Sequence, residues 1–140
     1  METIFSQDQM DFIYNLAVQN FNAGQLQQSI DLLYIICKLP GKHQALYNKG
    51  MAAAYHAQEN YALALSHYQA TVVMDEENQQ DCLLYIAICF FELNLVVEAN
   101  KVMMLFEQYA SKYPLLAQKA KLYKNLIAKK LQESSVEHSV

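Results

Sequence analysis

Three alanines, Ala17, Ala52 and Ala87, stand about 35 residues apart, and Ser29, Ala64 and Ala99 repeat in step with them. Larger residues keep the same beat. Leu16, Met51 and Ile86 precede the first small residue; Leu26, Tyr61 and Val96 open the second half of each unit; Leu33, Tyr68 and Met103 lie further along it. Within each half the apolar residues are spaced three and four apart, the period of a helix with one buried stripe. Two small residues per unit let two antiparallel helix axes approach closely. A column structure at one fixed period requires a stack of similar helix pairs, each burying its face against the next.

The punctuation agrees. Short polar turns separate the helices of each pair: Ala23-Gly24-Gln25, Gln58-Glu59-Asn60 and Leu93-Asn94-Leu95. Gly24, Asn60 and Asn94 suit the left-handed backbone at a helix end. Pro40-Gly41 breaks the chain after the first unit, the acidic and amide-rich stretch from Asp75 to Asp81 after the second, and Pro114 after the third. Gly and Pro number only three and two, which favours long helices over the many turns of an all-β chain. The repeats run 10–43, 45–78 and 80–113, preceded by a short segment 1–9. A helix over 114–131 follows, with Pro114 in its first turn and Leu115, Leu116, Leu122, Tyr123, Leu126, Ile127 and Leu131 as its apolar stripe. It caps the open face of the last repeat, and residues 132–140 read as a frayed tail. The segment 10–131 reads as a single domain.

A period near 34 is that of tetratricopeptide repeats, which these units resemble. The second unit carries the likeness best, through Met51-Ala52, Tyr55, Tyr61, Ala64, Leu65, Tyr68 and Asp75. It departs from the pattern at Asn48, where an aromatic is usual, and at Ala52, where Gly is common. The expected fold is all-α: three tetratricopeptide-like helix-turn-helix repeats plus a C-terminal capping helix, wound as a right-handed superhelix.

Composition removes several functions. All ten basic residues are Lys, and the net charge is −4. Without Arg, the usual bidentate reader of phosphate and guanine, nucleic acid is not an expected partner. The longest apolar run, Cys82 to Phe91, is about half of the ~20 residues that a membrane helix needs, so stable membrane insertion is not expected. The first ten residues carry acids and no Lys, unlike a secretory signal. Cys37, Cys82 and Cys89 lie in apolar stretches without C-x-x-C spacing, and read as reduced, buried small hydrophobes of a cytoplasmic protein. His43, His56, His67 and His138 have no ligand-like spacing; His43 and His67 read as surface residues. No Gly-rich phosphate loop is present, and no Ser or Cys has an identifiable base. The reading is therefore not an enzyme, with no metal and no cofactor.

A narrower resemblance follows from Leu16-Ala17 with Phe21-Asn22-Ala23-Gly24, from Glu59-Asn60-Tyr61-Ala62-Leu63-Ala64 and from Glu98-Ala99. These resemble the class II chaperones of type III secretion over about residues 12–130. The resemblance implies a bacterial cytoplasmic chaperone. Such a protein holds hydrophobic, pore-forming translocator proteins soluble and secretion-competent, gripping an extended peptide segment in its concave groove. The family dimerises through a helix in a longer N-terminal segment; segment 1–9 is short for that, and a homodimer and cargo are kept as the two ways of covering apolar surface. The alternatives are a chaperone or adaptor for a needle or filament subunit of the same apparatus, and a general protein-interaction module.

In a stack of helix pairs the first helix of each pair lines the concave side. Its inward positions are Tyr14, Val18 and Phe21 in repeat one, Lys49, Ala53 and His56 in repeat two, and Leu84, Ile88 and Phe91 in repeat three, with Asp11, Leu46 and Asp81 near the rim. These positions are more apolar than a solvated face, and a helix apolar nearly all round is buried against something. Phe21 and Phe91 flanking the small Ala53 predict a cleft with a central pocket. An apolar side chain seated there contributes roughly 1.5–3 kcal/mol, and three such anchors, less the ordering of a disordered peptide, give about micromolar affinity.

Overall fold

Ser6 starts the first helix by a reciprocal box. Its hydroxyl accepts from the Gln9 N–H, and the Gln9 side-chain oxygen accepts from the Ser6 N–H at 2.8 Å, satisfying two donors that a helix start leaves unpaired. The structure, a computed structural model, describes residues 4–138, with side chains through residue 134. Seven α-helices follow in order among the described residues: α1 (Gln7–Asn22), α2 (Leu26–Cys37), α3 (Gln44–Ala57), α4 (Tyr61–Met74), α5 (Cys82–Glu92), α6 (Val96–Glu107) and α7 (Ala117–His138). The fold is all-α.

The turns inside the three pairs share one bonding pattern. Gly24, Glu59 and Asn94 are left-handed, at φ 79°, 60° and 63°. The N–H groups of Gln25, Asn60 and Leu95 reach back to the carbonyls of Asn20, Tyr55 and Phe90, and those of Gly24, Glu59 and Asn94 to Phe21, His56 and Phe91. This arrangement satisfies carbonyls that each helix end leaves open. The left-handed residue of the second turn is Glu59 and not Asn60. The fixed period puts that conformation at 59, and Asn60 instead caps α4, its side chain accepting from the Leu63 N–H.

The chain divides into two compact units, Met1–Glu76 and Glu77–Val140. In the first unit α1 pairs with α2, α2 packs on α3, and α3 pairs with α4. Its core joins Met10, Ala17, Ile30, Leu33, Ile36, Tyr47, Met51 and Ala54. Phe5 packs against that core and α1 begins at Gln7, ahead of the expected start of repeat one at residue 10. In the second unit α5 pairs with α6, and α7 packs on both. Leu84, Ala87, Ile88, Ala99, Met103, Phe106 and Ile127 form its core. Both small columns are buried throughout: Ala17, Ala52 and Ala87, and Ser29, Ala64 and Ala99.

The C-terminal element departs from its expected bounds of 114–131. Two short 3-10 turns, Ala110–Lys112 and Pro114–Leu116, precede it, so Pro114 heads a 3-10 turn and α7 begins at Ala117. The helix then runs on to His138, through most of the stretch expected to fray; residues 139–140 lie outside the described ones. Leu116, Ala120, Tyr123, Ile127 and Leu131 face the core, whereas Leu115, Leu122 and Leu126 of the expected stripe are exposed.

Candidate functional site

On α1, Tyr14, Val18 and Phe21 are spaced four and three apart and so share one face. On α3, Gly50 and Ala53 share another. The two faces border a cleft of about 140 Å³, with Ser29 and Leu33 of α2 completing its lining. The hollow exists because two positions on α3 are small. A Cβ at Gly50 would come within 3.2 Å of Leu33 Cδ1, and Ala53 presents a single methyl group. The lining is apolar apart from the Ser29 hydroxyl and the Tyr14 phenol. Burial raises the Tyr14 phenol above its ordinary pKa, against the opposing pull of the Lys49 ammonium. Lys49 therefore sits within electrostatic reach of the cleft, and Leu46, one turn earlier on α3, is exposed.

A polar cluster closes around the neighbouring start of α1. Asp11 Oδ1 accepts from the Tyr47 hydroxyl at 2.7 Å and from Gln7 Nε2 at 3.1 Å, and lies 2.8 Å from His43 Nδ1. Gln7 also donates to the Tyr47 hydroxyl, and its carbonyl accepts from the Lys42 N–H. The bonds to His43 and then Tyr47 hold the Asp11 carboxyl below its ordinary value. Burial, followed by the Asp11 carboxylate, pushes the Tyr47 phenol up to about 12. Tyr47 is buried, and its ring lies 5.6 Å from that of Tyr14. The cluster thus fixes a ring against which a cleft-lining residue rests. Asp11, expected at a rim, is its hub.

The remaining expected lining residues fare differently. His56 is half-buried against its own hairpin: its ring meets Tyr61 and Tyr68 edge-on, and its Nδ1 lies 3.2 Å from the Tyr68 hydroxyl. Leu84 and Ile88 are 0% and 1% exposed, within the core of the second unit, and do not line a groove. Phe91 is half-buried and packs edge-on to Tyr123 of α7, 5.8 Å away. α5 is apolar on nearly every side, and α7 takes a face that the sequence left unassigned. His67 is likewise not a surface residue: it is half-buried, stacks on Tyr55 and lies 3.0 Å from the side-chain oxygen of buried Asn48. That pairing accounts for a polar residue where the repeat usually has an aromatic.

Sequence reasoning missed Gly50, Leu33 and Ser29 as lining residues. Gly50 gave a signal, since glycine inside a helix costs about 1 kcal/mol relative to Ala and needs a packing or functional reason. A second hollow of about 360 Å³, beside Phe5, Asp8, Gln9, Phe12 and Ile13, was also missed. Among the described residues no three His, Cys, Asp or Glu side chains converge as a metal site. No helix there is long and apolar enough to cross a membrane.

No family model matches the chain, and no curated protein matches it in sequence. Solved structures do. The type III secretion chaperone SycD of Yersinia enterocolitica, in complex with a peptide of the translocator YopD, aligns at a TM-score of 0.79 and 20% identity, over 89% of this chain and 96% of that one. PcrH of Pseudomonas aeruginosa aligns at 0.77 and 22%, over 89% and 95%. PcrH in complex with the chaperone-binding region of PopD aligns at 0.80 and 21%, over 93% and 98%. The fold is that of these chaperones.

Proposed function

We propose that this chain is a cytoplasmic bacterial chaperone that binds hydrophobic translocator subunits of a type III secretion apparatus, keeping them soluble before export. The observation that carries the reading is an open apolar cleft, between Tyr14, Val18 and Phe21 on one side and Gly50 and Ala53 on the other, in a chain with the fold of chaperones solved with translocator segments. The chemistry suits a cargo that must later be released. The cleft offers apolar contact and shape with few polar partners, so it seats side chains without committing to a tight polar network. One seated aliphatic side chain contributes roughly 1.5–3 kcal/mol, and several are needed for micromolar binding.

Co-expression with the translocator subunits of the source cell tests this. The parent chain keeps a translocator in the soluble fraction and co-purifies with it. Phe21→Glu places a charge in the apolar cleft and abolishes capture while leaving helicity unchanged. A folded Phe21→Glu variant that solubilises the translocator as well as the parent refutes the assignment.

A further inference from the structure

The capping helix α7 carries an exposed surface, none of whose residues lines the apolar cleft. Between Glu107 and Glu133 the chain has no acidic residue and six of its ten lysines, although its net charge is −4. Five of the six lie on α7, and all five are exposed: Lys119, Lys121, Lys124, Lys129 and Lys130. Leucines share that exposure. Leu122 and Leu126 are 55% and 37% exposed, and Leu115, in the turn just before the helix, is 97% exposed.

The placement of these residues is ordered. At about 100° per residue, Leu122 and Leu126 lie roughly 140° and 100° around the helix from the core residue Ile127. Lys129 falls about 20° to one side of the leucine pair, and Lys119 about 20° to the other, with Lys130 just beyond it. Lys124 lies off this arc and pairs with Glu107 at 3.0 Å. Lys119 reaches over the Tyr85 ring, 5.6 Å from its centroid. The face is thus a narrow apolar ridge with ammonium groups on both flanks, on the convex side of one helix.

We propose that this face of α7 docks the protein reversibly on an anionic lipid bilayer. A convex ridge offers no hollow for a peptide, but it meets a flat surface along its length. Lysine stems can lie beside the leucines while their heads reach the phosphates, and the leucines enter the boundary between headgroups and chains. Charge complementarity selects an anionic leaflet. Glu133 bounds the patch at its C-terminal end. None of these residues lines the apolar cleft of the first unit, so the proposal stands or falls apart from the chaperone reading.

Co-sedimentation of the whole chain with vesicles tests it, using phosphatidylcholine alone and phosphatidylcholine with roughly a third phosphatidylglycerol. The parent pellets with the anionic vesicles only, and raised salt releases it. Lys129→Gln with Lys130→Gln lowers partition about 30-fold, at ~1 kcal/mol per lysine near the surface. Leu122→Ser with Leu126→Ser lowers it at least about tenfold, and Glu133→Gln raises it severalfold. These positions are exposed, so each variant keeps the parent's circular dichroism and melting midpoint. Equal partition into both vesicle types, or into neither, overturns the proposal. So does anionic binding that ignores the leucine change, which is charge attraction alone. A complex with polyglutamate that depends on the lysines, formed where vesicles fail to bind, overturns it in favour of an acidic protein partner.

Discussion

Tyr47→Phe removes one oxygen from the polar cluster that braces the cleft and leaves the ring that packs on Tyr14 in place. The lost hydroxyl donates to Asp11 at 2.7 Å and accepts from Gln7 at 3.0 Å. A hydrogen bond to a charged group contributes about 1.5–3 kcal/mol. The Asp11 side chain is 38% exposed, so water replaces part of the lost donor and the lower end applies, about 1.5 kcal/mol. For a chain of this size that is a fall in Tm of roughly 5 °C. The pH dependence has a definite sign. The folded state holds the Asp11 carboxyl below its ordinary value, through His43 first and Tyr47 second. The associated stability is therefore complete above the unfolded value, about 3.9, and is lost as pH falls through the lowered folded value. Urea unfolding of parent and variant across a pH series measures this. The gap between them is full at neutral pH and closes in acid, with an unchanged m-value. A gap that stays constant down to about pH 3, or one under about 0.5 kcal/mol at neutral pH, refutes the role given to the Asp11–Tyr47 bond.

Two further outcomes are expected. A Cβ at Gly24 meets nothing within 4 Å, so Gly24→Ala reports the left-handed backbone alone and destabilises by about 1 kcal/mol, whereas Glu59→Gly relieves the same conformation and stabilises by a few tenths; thermal melts that rank the two the other way contradict the turn geometry. Burial pushes the Cys37 and Cys89 thiols up to about 11 and 12, so alkylation of the native chain at mildly alkaline pH is slow at both and reaches half-buried Cys37 before fully buried Cys89, as peptide mass mapping resolves.

The repeat was legible because it is written twice, in small residues and in turns. Ala17, Ala52 and Ala87 announce close helix approach from composition alone. The left-handed positions 24, 59 and 94 then keep the same register even though Gly, Glu and Asn occupy them. The second of these was misassigned because asparagine has the stronger left-handed preference. Propensity names the residue best suited to a conformation, but backbone register decides which residue adopts it. Half of the cleft was legible for a similar reason. Tyr14, Val18, Phe21 and Ala53 follow from helix periodicity, which says what shares a face.

Periodicity does not say which of two apolar faces is covered. α5 shows the failure, since Cys82, Leu84, Ile86, Ala87, Ile88 and Cys89 are all buried and no stripe stands apart from the others. Leu84 and Ile88 entered the core because Ile127 of α7 packs with them there, and which face α7 covers is a tertiary fact absent from the local pattern. The same argument explains why α7 exposes Leu122 and Leu126. A helix covering one end of a unit needs a single buried face, and Ala120, Tyr123, Ile127 and Leu131 already supply it.

The cleft itself is made by what α3 lacks. Alanine at position 50 would gain about 1 kcal/mol of helix propensity over glycine, yet its methyl group would come within 3.2 Å of Leu33 and force that side chain to shift. Leu33 is at once core, through Ile30, Ile36 and Met51, and wall, through the cleft. A shift there therefore changes packing and cleft width together. Ala53 carries no such conflict, since it faces the opening and is only partly covered. Gly50 thus sets how closely α2 and α3 can approach, and Ala53 sets how much of the resulting space stays open. A larger residue at 53 would fill the hollow without disturbing the core, whereas one at 50 would disturb both. The two small residues lie one turn apart on the same helix but answer to different constraints, and that difference separates the part of the cleft that stability fixes from the part left available to recognition.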